Sequence, residues 1–319
     1  MGASEDTPLE LVVAQRDVAA AGVIVLTLRD AQGGRLPAWE PGAHIDLIVD
    51  SSCVRQYSLC SDPADLYSYR IGVLREPNSR GGSVYIHDHL AIGSLVRVGR
   101  PRNNFSLQPR GRYVFIAGGI GITPLLPMMA AADAAGAKWQ LVYGGRTRVS
   151  MAFANELLER YPGKVVISPQ DENGLLDLAS ILAEPVEDSL VYCCGPEPLL
   201  AAVERHCVSW PRGSLHVERF SSKAIDELIA DAEFEVELAV SGRTVTIPPS
   251  KSILEILQQA GVDVLWACAD GVCGACETPV ISGTVDHRDS VLSAEQRAAN
   301  DRMMICVSRA ACSRLVLRL

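Results

Sequence analysis

No stretch of these 319 residues carries a basic face, no segment repeats another, and none is of low complexity. With a net charge of −9 and no clustered Lys and Arg, the chain is not built to hold nucleic acid. A basic n-region followed by an apolar run is also missing from the start; Glu5, Asp6 and Pro8 stand there instead, which predicts a protein that is not exported and works in the cytoplasm. One uncharged run, Tyr113 to Ala132, has the length of a membrane span, but Gly118, Gly119, Gly121, Pro124 and Pro127 interrupt it. It reads as a strand, a loop and a buried helix, and no membrane role is expected. Finally, a second C-x2-C pair of the kind that zinc modules carry is absent, which weighs against a four-cysteine zinc site.

What the chain does have is ten cysteines, 48% apolar and 21% charged residues, and length enough for two or three domains. Cys268, Cys273 and Cys276 follow the spacing C-x4-C-x2-C, and Cys306 lies thirty residues on. That is the pattern of a plant-type [2Fe–2S] site, in which a tight loop wraps the cluster with three thiolates and a distant fourth closes the cage. Gly271 and Gly274 within the loop allow the sharp turns that bring N–H groups toward sulfur. Cys53, Cys60, Cys193, Cys207 and Cys312 read as small buried apolar residues.

The organisation changes twice along the chain. Short β-rich runs at Leu9–Val13, Gly22–Leu28, His44–Val49 and Tyr69–Leu74 predict a small antiparallel barrel over residues 1–106. From Tyr113 strands and helices alternate, with strands at Tyr113–Ala117, Gln140–Tyr143, Val165–Ser168 and Leu190–Cys193 and helices at Ala152–Arg160 and Glu197–His206. This predicts an α/β domain with a doubly wound parallel sheet over 107–223. A polar linker over 224–233 follows, and 234–319 opens on a hairpin signal, Phe234–Val240 and Arg243–Ile247 around Ser241-Gly242, ahead of a short helix at Ser252–Gln259.

Several motifs sit where these elements meet. Gly118-Gly119-Ile120-Gly121-Ile122-Thr123-Pro124 follows an apolar strand and opens a helix, which suits close approach of a pyrophosphate, although it is not G-x-G-x-x-G. Cys193-Cys194-Gly195-Pro196 leaves another strand at the same sheet edge, so Cys194 is placed to meet a nicotinamide ring. Arg55-Gln56-Tyr57-Ser58-Leu59 offers charge, an aromatic face and a hydroxyl suited to a flavin, or a plain half-buried edge strand. Arg80-Gly81-Gly82-Ser83 reads as a phosphate nest or an ordinary Gly-Gly hairpin. His87-Asp88-His89 reads as a polar turn, and His287-Arg288-Asp289 as a solvated loop open to a docking partner.

With these motifs in this order, the chain resembles the phthalate dioxygenase reductase family, which includes the vanillate O-demethylase reductases, over essentially its full length. The tail Cys306-Val307-Ser308-Arg309-Ala310 adds to the likeness. The resemblance implies an FMN-binding antiparallel β-barrel, an NADH-binding α/β domain and a C-terminal α+β ferredoxin domain of the β-grasp type. It implies that Arg55, Gln56, Tyr57 and Ser58 contact FMN, that Gly72, Val73 and Leu74 line it, that Arg80, Gly81, Gly82 and Ser83 hold its phosphate, and that Phe220 covers the ring. It places Thr123 and Cys194 where flavin and nicotinamide meet, with Gly118, Gly119, Gly121, Gly195 and Pro196 about the nucleotide. Asp171 would meet the adenosine ribose and favour NADH; Arg146 and Arg148 would instead suit a 2′-phosphate.

The implied activity is transfer of electrons from NADH through FMN to the cluster on Cys268, Cys273, Cys276 and Cys306, and from a monomer to a separate Rieske non-haem iron oxygenase. Plant-type clusters lie near about −400 mV and Rieske centres at about −150 mV or above, so that last transfer is downhill. A haem-thiolate monooxygenase is an alternative acceptor. A non-catalytic redox or zinc module would leave the Arg55 and Arg80 motifs without a role. The family's usual Ser before the first cluster cysteine is replaced by Trp266-Ala267, which is expected to alter solvent access to the cluster.

Overall fold

The computed structural model describes residues 7–50, 53–76, 81–221 and 232–319, so that Arg80 and nearly all of the expected linker lie outside the described residues. The chain divides into two compact units, Met1–Glu218 and Arg219–Leu319.

The first unit opens with six antiparallel strands: β1 (Leu9–Ala20), β2 (Val23–Asp30), β3 (His44–Asp50), β4 (Cys53–Ser58), β5 (Tyr69–Leu74) and β6 (Leu95–Val98), in the order β4-β3-β6-β1-β2-β5. The two end strands meet through a bridge between Leu59 and Ile71, and Cys60 N–H donates to the Arg70 carbonyl, which closes the sheet into the expected barrel. Leu11, Val13, Leu26, Leu28, Ile45, Leu47 and Ile71 fill its interior. β1 runs well beyond the apolar stretch that marks it in the sequence, because two bulges let it keep pairing with β2 past Val13.

Between β5 and β6 the chain forms a helix, α1 (Gly82–His89), where the sequence suggested a glycine turn and a polar turn. Ile86 is wholly buried and anchors α1 to the barrel. The last turn is then held by His87, whose Nε2 lies 2.9 Å from the Val73 carbonyl, and by Asp88, paired with Arg75 at 2.6 Å. Each side chain of the His-Asp-His triplet is thus occupied in the fold, His89 by its ring contact with Tyr85.

The rest of this unit is a five-stranded parallel sheet, β7 (Arg112–Gly118), β8 (Lys138–Gly145), β9 (Val165–Pro169), β10 (Ser189–Cys194) and β11 (Leu215–Glu218), in the order β11-β10-β7-β8-β9. Helices α2 (Leu125–Ala134), α3 (Ala154–Arg160), α4 (Gln170–Asn173), α5 (Leu178–Ile181) and α6 (Glu197–His206) connect the strands. Two apolar clusters flank the sheet, one around Phe115, Leu141 and Met128, the other around Ile116, Val191 and Leu200. This is the doubly wound arrangement, and its strand order reverses between β7 and β10.

Barrel and sheet are joined by residues 106–110, and two tyrosines fix that segment. Tyr192 accepts from Gln108 N–H at 2.7 Å and donates to the Ser106 carbonyl at 3.0 Å; Tyr113 accepts from Arg110 N–H at 2.7 Å and donates to the Gln108 carbonyl at 2.9 Å.

The second unit is a mixed sheet of β12 (Phe234–Leu238), β13 (Arg243–Ile247), β14 (Glu277–Ser282), β16 (Arg302–Met304) and β18 (Arg314–Leu317), ordered β13-β12-β18-β14-β16, with β15 (Val285–Asp286) and β17 (Arg309–Ala310) paired separately. β12 and β18 are parallel and the other pairs antiparallel. α7 (Ile253–Gln259) buries Ile253, Leu254 and Leu257 on the core and starts from a capping box of Ser252 and Glu255; α8 (Ala294–Ala299) starts from another, Ser293 and Gln296. This is a β-grasp fold. Buried Arg309 ties its entry together by donating to the carbonyls of Ala232, Pro248 and Lys251.

Replacing Tyr192 by Phe keeps the ring but strips two hydrogen bonds from the segment joining barrel and sheet. The loss is expected to cost about 1 to 3 kcal/mol, and denaturant unfolding followed by barrel-sensitive and sheet-sensitive probes would measure it.

Candidate functional site

The barrel presents a cation to the start of a helix. Arg55 lies on β4, and a Cβ added to Gly82 would stand 2.7 Å from its Cγ and 2.8 Å from its Nε, so only glycine permits the Arg55 side chain to cross the first turn of α1. Gly81, the N-cap, has φ 92°, and that turn has neither an acidic residue nor a side-chain cap. Ser83 is buried and its hydroxyl accepts from Glu76 N–H at 3.1 Å. A guanidinium across a helix start that carries no acidic residue suits a phosphate such as that of FMN.

On the same strand, cross-strand register pairs Arg55 with Leu47, Gln56 with Asp46, Tyr57 with Ile45 and Ser58 with His44. The Gln56 amide donates to Asp46 at 2.6 Å, and Asp46 also takes both terminal nitrogens of Arg102. Gln56 is therefore engaged within the barrel wall through its side chain. Burial pushes the Tyr57 hydroxyl up, so the ring stays neutral.

At the reversal of the parallel sheet, two backbones touch. A Cβ on Gly121 would meet the Cys194 carbonyl oxygen at 2.3 Å, and one on Gly118 would strike Pro196 and Leu199 at 2.7 Å. The glycines that the sequence assigns to a pyrophosphate are thus first of all required by chain packing, and only Gly119, with φ 54°, has open space beside it. Thr123 is buried, donates its hydroxyl to the Ile120 carbonyl at 2.9 Å, and turns its methyl to the barrel, where a Cβ on Gly72 would come within 2.8 Å. Gly72 thus lets the sheet approach β5, in which Val73 is buried in the barrel core.

Sequence reasoning passed over one member of this group. Glu218 ends β11, aligned with Cys194 on β10; its carboxylate lies 3.5 Å from the Ser58 hydroxyl and 3.9 Å from the Cys194 thiol. Burial pushes its carboxyl up to about 8, against the lowering effect of the Ser58 and Cys194 hydrogen bonds. Burial and the Glu218 carboxylate also raise the Cys194 thiol well above its ordinary value. The sole signal in the sequence was an acid at the end of an otherwise apolar strand, which is a common surface pattern.

Farther along the same sheet edge, Asp171 N–H donates to the Arg146 carbonyl at 3.2 Å, since β8 and β9 pair up to Gly145 and Pro169. Arg148 is bonded to Glu172 at 3.3 Å. Phe220, the second residue of the second unit, is 47% exposed.

In the second unit, register explains how a distant cysteine joins the loop. β14 begins right after Cys276, β16 ends two residues before Cys306, and the pair Glu277 with Met304 sets the two cysteines side by side. All four thiols are buried. They are in hydrogen-bonding reach in pairs, Cys268 with Cys273 and Cys306, and Cys276 with Cys306. Thiol and backbone N–H donors hold Cys268 and Cys276 toward the thiolate, and Asp270 N–H reaches the Cys268 sulfur at 3.3 Å. Paired thiols with inward N–H groups suit a two-iron core.

Two expectations are corrected. Cys53 and Cys312 are partly exposed, Cys53 because it starts an end strand and Cys312 because it sits in a turn between the carbonyls of Thr284 and Arg314; Cys60, Cys193 and Cys207 are buried as expected. The His287-Arg288-Asp289 segment is not a solvated loop: the Asp289 side chain is 0% exposed and that of His287 9%. Among the described residues no helix is long and apolar enough to cross a membrane.

A glycine turn at a strand reversal, a helix start suited to a phosphate on the adjoining barrel and four buried thiols in a β-grasp together point to one class of protein, an oxidoreductase that moves electrons from a pyridine nucleotide to an iron–sulfur centre. Residues 115–205 match the oxidoreductase NAD-binding domain, and residues 236–311 match the 2Fe-2S iron-sulfur cluster binding domain. The chain is 42% identical to the phenoxybenzoate dioxygenase subunit beta of Ectopseudomonas oleovorans, covering 98% of both. Its structure superposes on phthalate dioxygenase reductase with a TM-score of 0.72, at 36% identity and 98% coverage of both chains. It also superposes on an intact type IV self-sufficient cytochrome P450 monooxygenase with a TM-score of 0.92, at 43% identity over 98% of this chain, and spans 41% of that longer one. The chain belongs to the phthalate dioxygenase reductase family, and its cofactors are FMN, NADH and a [2Fe–2S] cluster.

A carboxyl raised from 4.5 to about 8 is protonated at neutral pH, so its contribution to stability is full below about 4.5 and falls as pH rises to about 8. Infrared titration is expected to show a protonated-carboxyl band that disappears as pH passes about 8 and is missing from Glu218→Gln.

Proposed function

We propose that the chain is the NADH-dependent reductase component of a multicomponent oxygenase and that it delivers single electrons, as a cytoplasmic monomer, to a Rieske-type non-haem iron oxygenase. The observation that carries the reading is that an NAD-binding domain and a 2Fe-2S domain stand in one polypeptide that aligns over 98% of its length with a dioxygenase subunit. Residues 1–106 are assigned to FMN, 107–223 to NADH and 234–319 to the cluster. Bound FMN supplies the exchange between a two-electron donor and a one-electron acceptor.

The residues divide that work. Arg55, Gly81, Gly82 and Ser83, with Arg80 outside the described residues, hold the FMN phosphate, and Tyr57 and Ser58 orient the ring system. Gly72, Val73 and Leu74 form the barrel side of the site, and Phe220 keeps the flavin role that the family resemblance implies. Thr123 and Cys194 act by packing, since both are buried and the Thr123 hydroxyl is engaged by Ile120. Neutral Glu218 keeps a negative charge away from the place where the nicotinamide gives up its electrons. Gly118, Gly119, Gly121, Gly195 and Pro196 shape the nucleotide cleft. The Arg148 to Glu172 pair and the neighbouring Asp171 support NADH over NADPH, because they oppose a 2′-phosphate in the region of Arg146. Cys268, Cys273, Cys276 and Cys306 are the cluster ligands.

A second acceptor is favoured by one observation. The likeness to the self-sufficient cytochrome P450 monooxygenase, at 43% identity, is as high as that to the dioxygenase subunit. Reconstitution with a haem-thiolate monooxygenase and with a Rieske oxygenase separates the two readings.

Cys276→Ser is expected to leave NADH-dependent flavin reduction within about twofold of the native rate and to abolish reduction of a one-electron protein acceptor. Stopped-flow flavin bleaching beside a cytochrome c reduction assay checks both halves.

A further inference from the structure

The buried segment 287–290 touches both halves of the cysteine cage. Ser290 N–H donates to the Gly271 carbonyl at 2.8 Å, in the middle of the loop that carries Cys268, Cys273 and Cys276. Gly271 has φ 68°, and a Cβ there would lie 3.2 Å from the Asp289 Cα and 2.5 Å from Val307, so the loop, this segment and the neighbour of Cys306 are in contact. On the other side, Arg288 N–H donates at 3.2 Å to the hydroxyl of Ser308, a wholly buried residue two positions after Cys306.

Asp289 gives the segment its shape. Its Oδ1 accepts from Val291 N–H at 2.9 Å and Leu292 N–H at 2.8 Å, which sends Leu292 into the core. Arg297, from α8, donates to the Asp289 carbonyl and has a terminal nitrogen 4.0 Å from Oδ1. The other carboxylate oxygen, Oδ2, is buried with no hydrogen-bond partner among the described residues and lies 3.8 Å from His287 Nδ1. An asparagine would make the same turn through its own Oδ1 without burying a charge. The negative charge is therefore more than the turn requires; His287 Nδ1 at 3.8 Å and the Arg297 guanidinium at 4.0 Å face it, and the backbone that carries it touches the cluster loop at Gly271.

We propose that Asp289 is a positioning residue of the iron–sulfur centre: it straps the three-cysteine loop to the Cys306 segment, and its buried charge, partly offset by Arg297, holds the cluster's affinity for an electron down. A cluster kept strongly reducing drives electrons onward to the acceptor. The inference rests on the reading of the four cysteines as cluster ligands.

The test uses the full-length protein and its Asp289→Asn and Arg297→Gln variants, with iron and acid-labile sulfide analysis and a redox titration followed by the electron paramagnetic resonance signal of the reduced cluster. Native protein without iron and sulfide would defeat the ligand assignment itself. Given a cluster, Asp289→Asn is expected to move the reduced-to-oxidised ratio at fixed potential about threefold to tenfold toward reduced, tenfold being about 59 mV, and Arg297→Gln is expected to move it the other way. Unchanged potentials and signals in both variants, or shifts of the same sign, would overturn the proposal. If Asp289→Asn loses its cluster, the strap is supported and Arg297→Gln decides the charge: a shift toward oxidised supports it and an unchanged potential overturns it.

Discussion

The first unit depends on one close approach, that of the chain leaving β7 to the chain leaving β10. The contact admits no side chain, since a Cβ at Gly121 would fall 2.3 Å from the Cys194 carbonyl oxygen. Because those backbones touch, Thr123 can rest its methyl on Gly72 of the barrel, and Cys194 lies level with Glu218 on the next strand. Glu218 in turn reaches Ser58 on β4. Barrel and sheet thus share a wall of five residues drawn from four strands and one turn.

In the second unit strand register does the corresponding work. Pairing of Glu277 with Met304 converts a separation of thirty residues between Cys276 and Cys306 into adjacency. The strap formed by 287–290 then links the same two stretches from the other side. A metal cage built from two segments has to be held at a fixed spacing before the metal arrives, since ligands that must be gathered first cost ordering entropy.

Much of this was legible in the sequence because its signals are local. β5, β13 and α6 fall on Tyr69–Leu74, Arg243–Ile247 and Glu197–His206, each bounded by its own turn or cap residues. The cysteine spacing states the cluster chemistry without help from the fold. α1 was not legible, because its one strong anchor, Ile86, sits among glycine, serine and histidine residues that read as loop. Glu218 was missed because a carboxyl gains its meaning from Ser58 and Cys194, far away in the chain. The burial of Asp289 was hidden for the same reason: a His-Arg-Asp triplet looks solvated until Ser308 and Gly271 close over its backbone.

Everything above requires that one polypeptide carry a flavin and an iron–sulfur cluster connected to a pyridine nucleotide. An anaerobic visible spectrum of the purified protein, recorded before and after NADH with the released flavin identified by chromatography, tests it most directly. The prediction is flavin and iron–sulfur bands that both bleach on NADH, with FMN released on denaturation. A colourless protein that ignores NADH would contradict the account.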